Sequence, residues 1–286
     1  MRHPFSVRKH EGQPDEASRA CVVLRWQEGK LKFGTEIIAE EIPVSFVYNG
    51  LAHAVTLASP ADLEDLALGY SLSQGIVQHA GELCAAEAAE CADGVELRMA
   101  IGDERMLALA QRRRDLSSLR RPPPVAAGGR TTASALHAAM AQLMDSQVLQ
   151  RSAGSVHAAA WAGWDGRVQL IREDVGRHNA LDKLVGAVAR SKLDREQGFA
   201  VATGGASHET VRKAATAGMR LLATLAAPTA LAVQLAEKTG LTLVGFVRRG
   251  KHVVYTHPSR VEHQLVRRSK AGEARLAPRL VPRALP

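Results

Sequence analysis

The run of three prolines at Pro122–Pro124 constrains the fold of this chain more than any other feature. Successive prolines hold the polyproline conformation and cannot enter a helix interior or a central strand. At 286 residues the chain is long enough for two domains, each with its own core. The patterns on the two sides of the prolines also differ. We therefore predict a small α+β domain over residues 20–121 and a second domain over residues 122–258.

The first predicted domain rests on a hairpin followed by a helix. Asn49-Gly50 is the strongest short hairpin signal, and it lies between strand-like runs at 41–48 and 51–57. Ser59 as an N-cap, followed by Pro60, predicts a helix that ends at Gly75. We expect residues 1 to about 20 to be disordered. We expect Cys84 and Cys91, in an Ala-rich helical stretch, to be small core residues.

The second predicted domain alternates between strand and helix patterns. Such alternation favours an α/β fold with a largely parallel sheet sandwiched by helices. The predicted strands lie at 156–161, 168–171, 199–203, 219–226 and 241–247, and the predicted helices at 136–144, 177–190, 207–217 and 229–238.

The positive charge of the chain is concentrated at its C-terminal end. The formal net charge is +8, and residues 248–286 contain ten Lys/Arg against two Glu. We predict that residues 259–286 form a basic, flexible tail. Aromatic residues make up 4% of the chain, and a surface that stacks bases would need more of them among its cations. A nucleic-acid partner is therefore not expected.

Cysteine usage and hydropathy bear on the compartment. The three cysteines contain no Cys-x-x-Cys pair, which fits a reducing environment. The N-terminus lacks the apolar core of a signal peptide, and no apolar run approaches the length that spans a bilayer. We expect a cytoplasmic protein without a membrane partner.

Three polar segments are predicted at the carboxyl ends of strands, where ligands gather in α/β sheets. They are the charged run 172–179, the glycine-rich turn 203–207 and the basic turn 246–251. Each also has an ordinary structural interpretation: a salt-bridged loop, tight packing of strand against helix, and a solvated hairpin turn. The candidate binding residues are Arg172, Asp174, Arg177, His178, Asn179, Ser207, Phe246, Val247, Arg248, Arg249, Gly250 and Lys251.

His157 is a further candidate contact. Zinc-dependent deaminases carry His-x-Glu and a later Cys-x-x-Cys, but this chain has Ala159 in place of the glutamate and no Cys-x-x-Cys. A zinc hydrolase needs its metal ligands and its proton-shuttling acid together. We therefore expect neither zinc nor deamination, and we interpret His157 as a structural or ligand-contacting residue.

Several of these segments resemble one protein family. The run 171–183 (IREDVGRHNALDK), the run 60–70 (PADLEDLALGY), Gln74-Gly75-Ile76, the run 227–232 (APTALA) and the run 241–248 (LTLVGFVR) are similar to the formate dehydrogenase accessory sulfurtransferase (FdhD) family. The resemblance covers about residues 41–256.

The resemblance implies a fold, a cofactor and partners. The second domain would be a cytidine-deaminase-like α/β sandwich that binds the molybdenum cofactor as Mo-bis-molybdopterin guanine dinucleotide, with the segment Phe246–Lys251 among the contacts. The partners implied are a formate dehydrogenase catalytic subunit and a cysteine desulfurase. The sequence leaves open whether the protein is a homodimer.

The chain departs from the family at its reactive loop. The family carries Cys-Gly-x-Cys-Gly between its domains, and Ala127 and Arg130 stand where the two cysteines belong. Neither side chain can hold a persulfide, which requires a thiolate. Arg130 is instead expected to place a charge near the anionic cofactor. Gly205 and Ser155 are smaller departures, since the family usually has Arg and Gly there.

Three functions follow as hypotheses. The leading one is a cofactor chaperone that is required for formate dehydrogenase maturation and has no catalytic residue. The second is a sulfurtransferase that uses Cys21, Cys84 or Cys91 to pass sulfur to the cofactor. The third is an RNA-binding module that uses the basic tail.

Overall fold

The computed structural model describes residues 17–111 and 122–263. Before the gap, a two-stranded ribbon precedes a four-stranded sheet of order β4-β3-β6-β5. The elements are β1 (Ser18–Gln27), β2 (Lys30–Ala39), β3 (Ile42–Tyr48), β4 (Leu51–Ala58), α1 (Leu63–Ser73), β5 (Leu83–Cys91), β6 (Gly94–Ile101) and α2 (Asp103–Ala110). The hairpin predicted at Asn49-Gly50 is confirmed as β3 and β4.

After the gap, helices cover both faces of a six-stranded sheet of order β13-β12-β11-β10-β8-β9. One face packs against α5, α6 and α7, and the other against α3. The elements are β7 (Thr131–Thr132), α3 (Ala133–Asp145), α4 (Val148–Ala153), β8 (His157–Gly163), β9 (Val168–Asp174), α5 (Arg177–Arg190), β10 (Gly198–Ala202), α6 (His208–Thr216), β11 (Leu221–Thr224), α7 (Ala230–Thr239), β12 (Thr242–Arg248), β13 (Lys251–Val254) and β14 (Val261–Glu262).

The predicted α/β class is confirmed, but the prediction of a largely parallel sheet is wrong. Within the six-stranded sheet, β10–β11 and β11–β12 are parallel pairs, while β8–β9, β8–β10 and β12–β13 are antiparallel. Short turns join β8 to β9 and β12 to β13, and a turn of that length can connect only antiparallel neighbours. The cytidine-deaminase-like description of this part of the chain stays a prediction.

The two sides of the proline run share one hydrophobic core. Buried residues of α1, β3 and β6 belong to the same cluster as those of α5, α6 and α7. Helices α1 and α5 cross at Gly69 and Gly186, where a Cβ on either glycine would overlap backbone of the other helix. The division into domains at 121/122 therefore stays a prediction, and residues 112–121 lie outside the described residues.

The ends of the chain differ in part from expectation. Residues 18–20, in the segment expected to be disordered, open β1, while residues 1–16 lie outside the described residues. The predicted tail begins too early, because β14 pairs with β7 and Val261 is buried in the second core cluster. Residues 264–286 lie outside the described residues.

Two local predictions are wrong. Cys84 and Cys91 lie exposed on strand β5, not in a helical core, because pairing with β6 overrides the helical preference of an Ala-rich run. Ser59 does not cap α1, whose N-cap is Asp62 in a left-handed conformation. The Ser59 hydroxyl instead accepts a hydrogen bond from the N–H of Val175, far along the chain.

None of the described helices is long and apolar enough to cross a lipid bilayer.

Candidate functional site

The carboxyl ends of four strands lie along one edge of the six-stranded sheet. Strands β9, β10, β11 and β12 all run in the same direction, because β8 lies antiparallel between β9 and β10. The segments 172–179, 203–207 and 246–251 follow β9, β10 and β12 respectively. His157 opens β8 at the same edge. The sequence-based expectation that these segments meet at one edge is confirmed.

Arg177 is an unpaired cation at the start of α5. It is exposed, and among the described residues no hydrogen-bond or ion-pair partner is found for it. Its side chain lies beside Gly204, whose added Cβ would come within 3.3 Å of the Arg177 Cδ. The glycine-rich turn therefore gives the arginine room at the N-terminus of a 14-residue helix.

His178 connects the starts of α5 and α6. Its Nε2 lies 3.2 Å from the Ser207 hydroxyl, and its Nδ1 lies 3.8 Å from a Glu209 carboxylate oxygen. Burial lowers the pKa of His178 below the usual histidine range; the Glu209 carboxylate opposes that shift and the Arg177 guanidinium adds to it. A neutral imidazole at neutral pH can accept a hydrogen bond from a ligand or donate one to it.

His157 is the second neutral histidine of the edge. Its Nδ1 lies 3.3 Å from the Thr203 hydroxyl. Burial lowers its pKa, and Arg177 lowers it further. Thr203 opens the glycine-rich turn 203–207 that the sequence indicated, directly after β10. Its hydroxyl also accepts a hydrogen bond from the N–H of Ala158.

Ser207 caps helix α6, and packing requires the glycine two residues before it, Gly205. The Ser207 hydroxyl accepts a hydrogen bond from the Thr210 N–H at 3.3 Å and takes part in a capping box. An added Cβ on Gly205 would come within 2.6 Å of the Ala227 carbonyl oxygen. The interpretation of this turn as tight packing is therefore correct for Gly205, while Gly204 faces Arg177.

The basic turn between β12 and β13 presents an aromatic ring and three cations. Phe246 has a positive φ of 53° and is 41% exposed, an unusual backbone state that turns its ring outward at an irregularity in the β12–β13 pairing. Arg248, Arg249 and Lys251 are exposed, with no carboxylate partner found among the described residues. Gly250 has a φ of 77°, as the hairpin turn requires.

Val247 is a correction to the predicted site. It is 0% exposed and belongs to the second core cluster. Side chains alternate across a strand, so when Phe246 and Arg248 face outward the side chain between them enters the core. The side chain of Val247 cannot contact a ligand.

Asp174, Arg172 and Asn179 are engaged within the protein. Asp174 is 0% exposed, forms a 2.5 Å ion pair with Lys183 and accepts a hydrogen bond from the Ser59 N–H. Arg172 forms an ion pair of 2.7 Å with Asp65 on α1. The Asn179 amide donates to carbonyl and carboxylate oxygens and is 7% exposed. The prediction that Asp174 contacts the ligand is therefore wrong.

These three residues fasten the charged run to α1 and β4. Sequence reasoning missed Lys183 and Ser59 as the buried partners of Asp174. The available signal was a lysine among the mainly apolar residues of α5, because a buried charge requires an acidic partner. The accessible members of the run at the carboxyl edge are thus Arg177 and His178.

The loop 125–130, where the family carries its cysteines, lies at the opposite edge of the sheet. Arg260 donates hydrogen bonds to the carbonyl oxygens of Ala126 and Gly128. It also reaches the Gly240 carbonyl oxygen, which precedes β12. Gly129 lies so close under the Trp164 ring that a Cβ there would overlap it. We call residues 125–130 the pinned loop.

The expectation that Arg130 places a charge near the cofactor stays a prediction, and in the structure Arg130 is not at the carboxyl edge. Strands β10, β11 and β12 separate the pinned loop from the segments 203–207 and 246–251. The Arg130 guanidinium instead lies 3.6 Å from the Glu262 carboxylate, on the exposed β7–β14 side. The residues that supply positive charge at the carboxyl edge, which we call the cationic edge, are Arg177, Arg248, Arg249 and Lys251.

Comparison with solved structures shows which fold this chain has. A crystal structure assigned as a formate dehydrogenase accessory protein from Desulfotalea psychrophila matches with a TM-score of 0.70 at 22% identity, covering 86% of this chain and 100% of that chain. This likeness shows that the two proteins share a fold.

The family follows from closer relatives. The FdhD/NarQ family model matches residues 39–262. Proteins named sulfur carrier protein FdhD are 46% identical over 85% of this chain and 89% of their own length in Cupriavidus necator, and 47% identical over 84% and 91% in Xanthomonas euvesicatoria pv. vesicatoria. The chain belongs to the FdhD/NarQ family.

Proposed function

We propose that this protein is a formate dehydrogenase accessory protein that binds the molybdenum cofactor as cargo, in its bis-molybdopterin guanine dinucleotide form, and delivers it to the enzyme's catalytic subunit. The observation that carries the proposal is the cationic edge. Four exposed cations without carboxylate partners among the described residues lie along the carboxyl edge of the sheet, the edge at which α5 and α6 also begin. Such an edge suits a ligand with several phosphates.

The chemistry of the edge fits the guanine nucleotide ends of this cargo. Arginine and lysine bind phosphate oxygens, and an exposed aromatic ring such as Phe246 can stack on a base. His157 and His178 add neutral hydrogen-bonding groups between the cations. A hydroxyl, an imidazole and a guanidinium together suit the sugar and phosphate parts of a nucleotide.

The pinned loop supports a chaperone rather than a sulfur carrier. Ala127 and Arg130 offer no thiol, and Arg260 fixes the neighbouring carbonyl groups. Persulfide transfer requires a thiolate that can reach both donor and acceptor. A protein with this loop can hold the cofactor without changing its sulfur content.

A sulfurtransferase is the second candidate, and two observations favour it. Relatives at 46–47% identity are named sulfur carrier proteins. Cys84 and Cys91 are exposed on β5 and accessible to a cysteine desulfurase. One of those thiols would then have to replace the loop cysteines.

Nucleotide binding tests the site. We predict that Arg248→Ala weakens GDP binding about ten-fold or more, because a charge-assisted contact contributes roughly 1.5–3 kcal/mol. Isothermal titration calorimetry measures the affinity. Arg195→Ala is the matched control, since Arg195 is an exposed arginine in the loop before β10, at the opposite edge of the sheet. Equal affinity of Arg248→Ala and the control would remove the basic turn from the site.

The cargo itself is tested by the content of the purified protein. We expect guanine nucleotide and molybdenum to copurify with the wild-type chain and to be lost from a variant with Arg177, Arg248 and Arg249 all changed to Ala. That variant should also fail to support maturation of formate dehydrogenase. Retention of both components by the triple variant would argue that the cofactor binds elsewhere.

A further inference from the structure

Glu209 places an exposed carboxylate on the cationic edge. It lies in the first turn of α6, and its side chain is 47% exposed. Its oxygens are 3.8 Å from the His178 Nδ1 and 3.9 Å from the Lys213 Nζ, both beyond hydrogen-bond length. Lys213 is already paired with Asp182 at 2.6 Å. No closer partner for the Glu209 carboxylate is found among the described residues, so little of its charge is compensated.

The charge of Glu209 acts on the groups proposed to meet phosphate. Burial lowers the pKa of His178, and the Glu209 carboxylate raises it again. The Arg177 guanidinium acts on the same imidazole. A phosphate that Arg177 holds beside His178 is therefore within range of this carboxylate, and like charges at such a distance repel each other.

The starts of α5 and α6 differ in what they offer an anion. Among the described residues, none caps α5 through its side chain and none in the first turn of α5 is acidic. At α6, Ser207 and Thr210 form a capping box in which each side chain accepts a hydrogen bond from the backbone N–H of the other. Glu209 then adds a negative charge to the same turn. Of these two helix starts, α5 is therefore open to a phosphate and α6 is closed to it.

We infer that Glu209 determines which guanine nucleotides the cationic edge accepts, by weakening the binding of those with a terminal phosphate. The inference rests on the proposed function. A terminal phosphate loses its second proton at a pH of about 6, so the formal charge is about −4 for GTP, about −3 for GDP and about −2 for a guanosine pyrophosphate diester. The nucleotide ends of the proposed cargo are diesters of this last kind.

The edge needs a repulsive group for this selectivity. The cations Arg177, Arg248, Arg249 and Lys251 alone would hold GTP more tightly than a diester, because each added ligand charge strengthens the attraction. One carboxylate close to the phosphates offsets part of that preference, which is how repulsion creates specificity. Glu209 also stabilises α6 through the helix dipole. A role confined to that stabilisation would affect the binding of every ligand alike.

Affinities for GTP, GDP and GDP-glucose test the inference. Calorimetry at about pH 8 keeps His178 neutral and the phosphates fully ionised. Repulsion by Glu209 should weaken binding roughly three-fold for each ligand charge. In Glu209→Gln the ratio of GTP affinity to GDP-glucose affinity should therefore rise roughly ten-fold, with GDP between them. Glu237→Gln is the matched control, since Glu237 is an exposed glutamate near the far end of α7, and it should keep the wild-type ratio.

A charge-preserving variant completes the experiment. Glu209→Asp keeps the carboxylate and should keep the wild-type ratio of affinities. An unchanged ratio in Glu209→Gln, or an equal change for all three ligands, would overturn the inference and leave the proposed site standing. A wild-type chain that binds none of the three ligands, or binds them with an affinity that Arg248→Ala does not alter, would instead count against the proposed function.

Discussion

At the scale of single residues, the charged run after β9 divides into two groups with different partners. Asp174 and Asn179 are buried and satisfied by groups from α5 and from the Leu57–Ser59 segment at the end of β4. Arg177 and His178 remain accessible at the same turn. Burying the Asp174–Lys183 ion pair has a large desolvation cost, so we expect it to fix the position of the turn more than to stabilise the fold. The accessible residues can therefore meet a ligand without reorganising the backbone.

The lowered pKa of His178 makes nucleotide binding sensitive to pH. A phosphate beside this imidazole favours its protonated form, so binding should take up a proton, and affinity should rise as pH falls through the pKa that His178 has in the complex. We predict that His178→Gln removes part of this rise, measured as the proton uptake in calorimetry in buffers of different ionisation enthalpy. The exposed His79→Gln is the control. The same proton uptake in both variants would exclude His178 as the group that titrates.

At the scale of elements, the crossing of α1 and α5 determines how the part of the chain before the proline run packs against the part after it. Gly69 and Gly186 allow the helix backbones to touch, and ion pairs from Arg190 of α5 to Glu64 and Asp65 of α1 add to the contact. Asp182 pairs with Lys213 at 2.6 Å and bonds the Ser73 hydroxyl. The start of α5, and with it Arg177, is therefore placed by α1 as much as by the sheet.

A methyl group at this crossing should separate the helices. We predict that Gly186→Ala lowers the free energy of unfolding by about 3 kcal/mol or more, because the added Cβ would overlap the backbone of α1 at Asp65 and neither helix can yield locally. Gly102→Ala is the matched control, since a Cβ there meets nothing within 4 Å. Urea denaturation followed by circular dichroism measures both. Equal midpoints would show that the crossing tolerates a wider helix separation.

Sequence patterns predicted the elements better than the contacts between them. The helix at 177–190 and the hairpin at Asn49-Gly50 were predictable, because amphipathic period and turn chemistry are local. The burial of Val247 and the exposure of Cys84 were not predictable from local patterns. An irregularity in the β12–β13 pairing determines the first, and the pairing of β5 with β6 determines the second. Ser59 has the chemistry of an N-cap, and a distant loop uses it instead. The convergence of three segments at one edge followed from the α/β alternation alone.

At the scale of the whole molecule, the six-stranded sheet separates two edges with different chemistry. The carboxyl edge bears the cationic residues and the two neutral histidines. The opposite edge bears the pinned loop, held by Arg260, whose own pKa is lowered by burial and by the neighbouring Arg220. Under the proposed function, a nucleotide end of the cofactor held at the first edge is separated from the second edge by the strands of the sheet. The pinned loop also has no thiol that could carry sulfur from a cysteine desulfurase, because Ala127 and Arg130 replace the family's cysteines.

The thiols of this chain should accordingly be dispensable. We predict that a variant with Cys21, Cys84 and Cys91 all changed to Ser still supports maturation of formate dehydrogenase in cells that lack the natural protein. The described cysteines are exposed or partly exposed, so their replacement by Ser should cost little stability. Formate-dependent dye reduction measures the activity. Incubation of the wild type with a cysteine desulfurase and labelled cysteine should leave no label on residues 125–130.

The same variant separates the two proposed functions. GDP binding by the triple-serine variant, measured first, shows that the fold and the cationic edge are intact. Arg248→Ala serves as the comparison that keeps every thiol and weakens the edge. If Arg248→Ala impairs maturation and the triple-serine variant does not, the protein acts by holding the cofactor. If the triple-serine variant binds GDP normally and yet fails in maturation, one of the exposed thiols carries sulfur and the chaperone proposal is wrong.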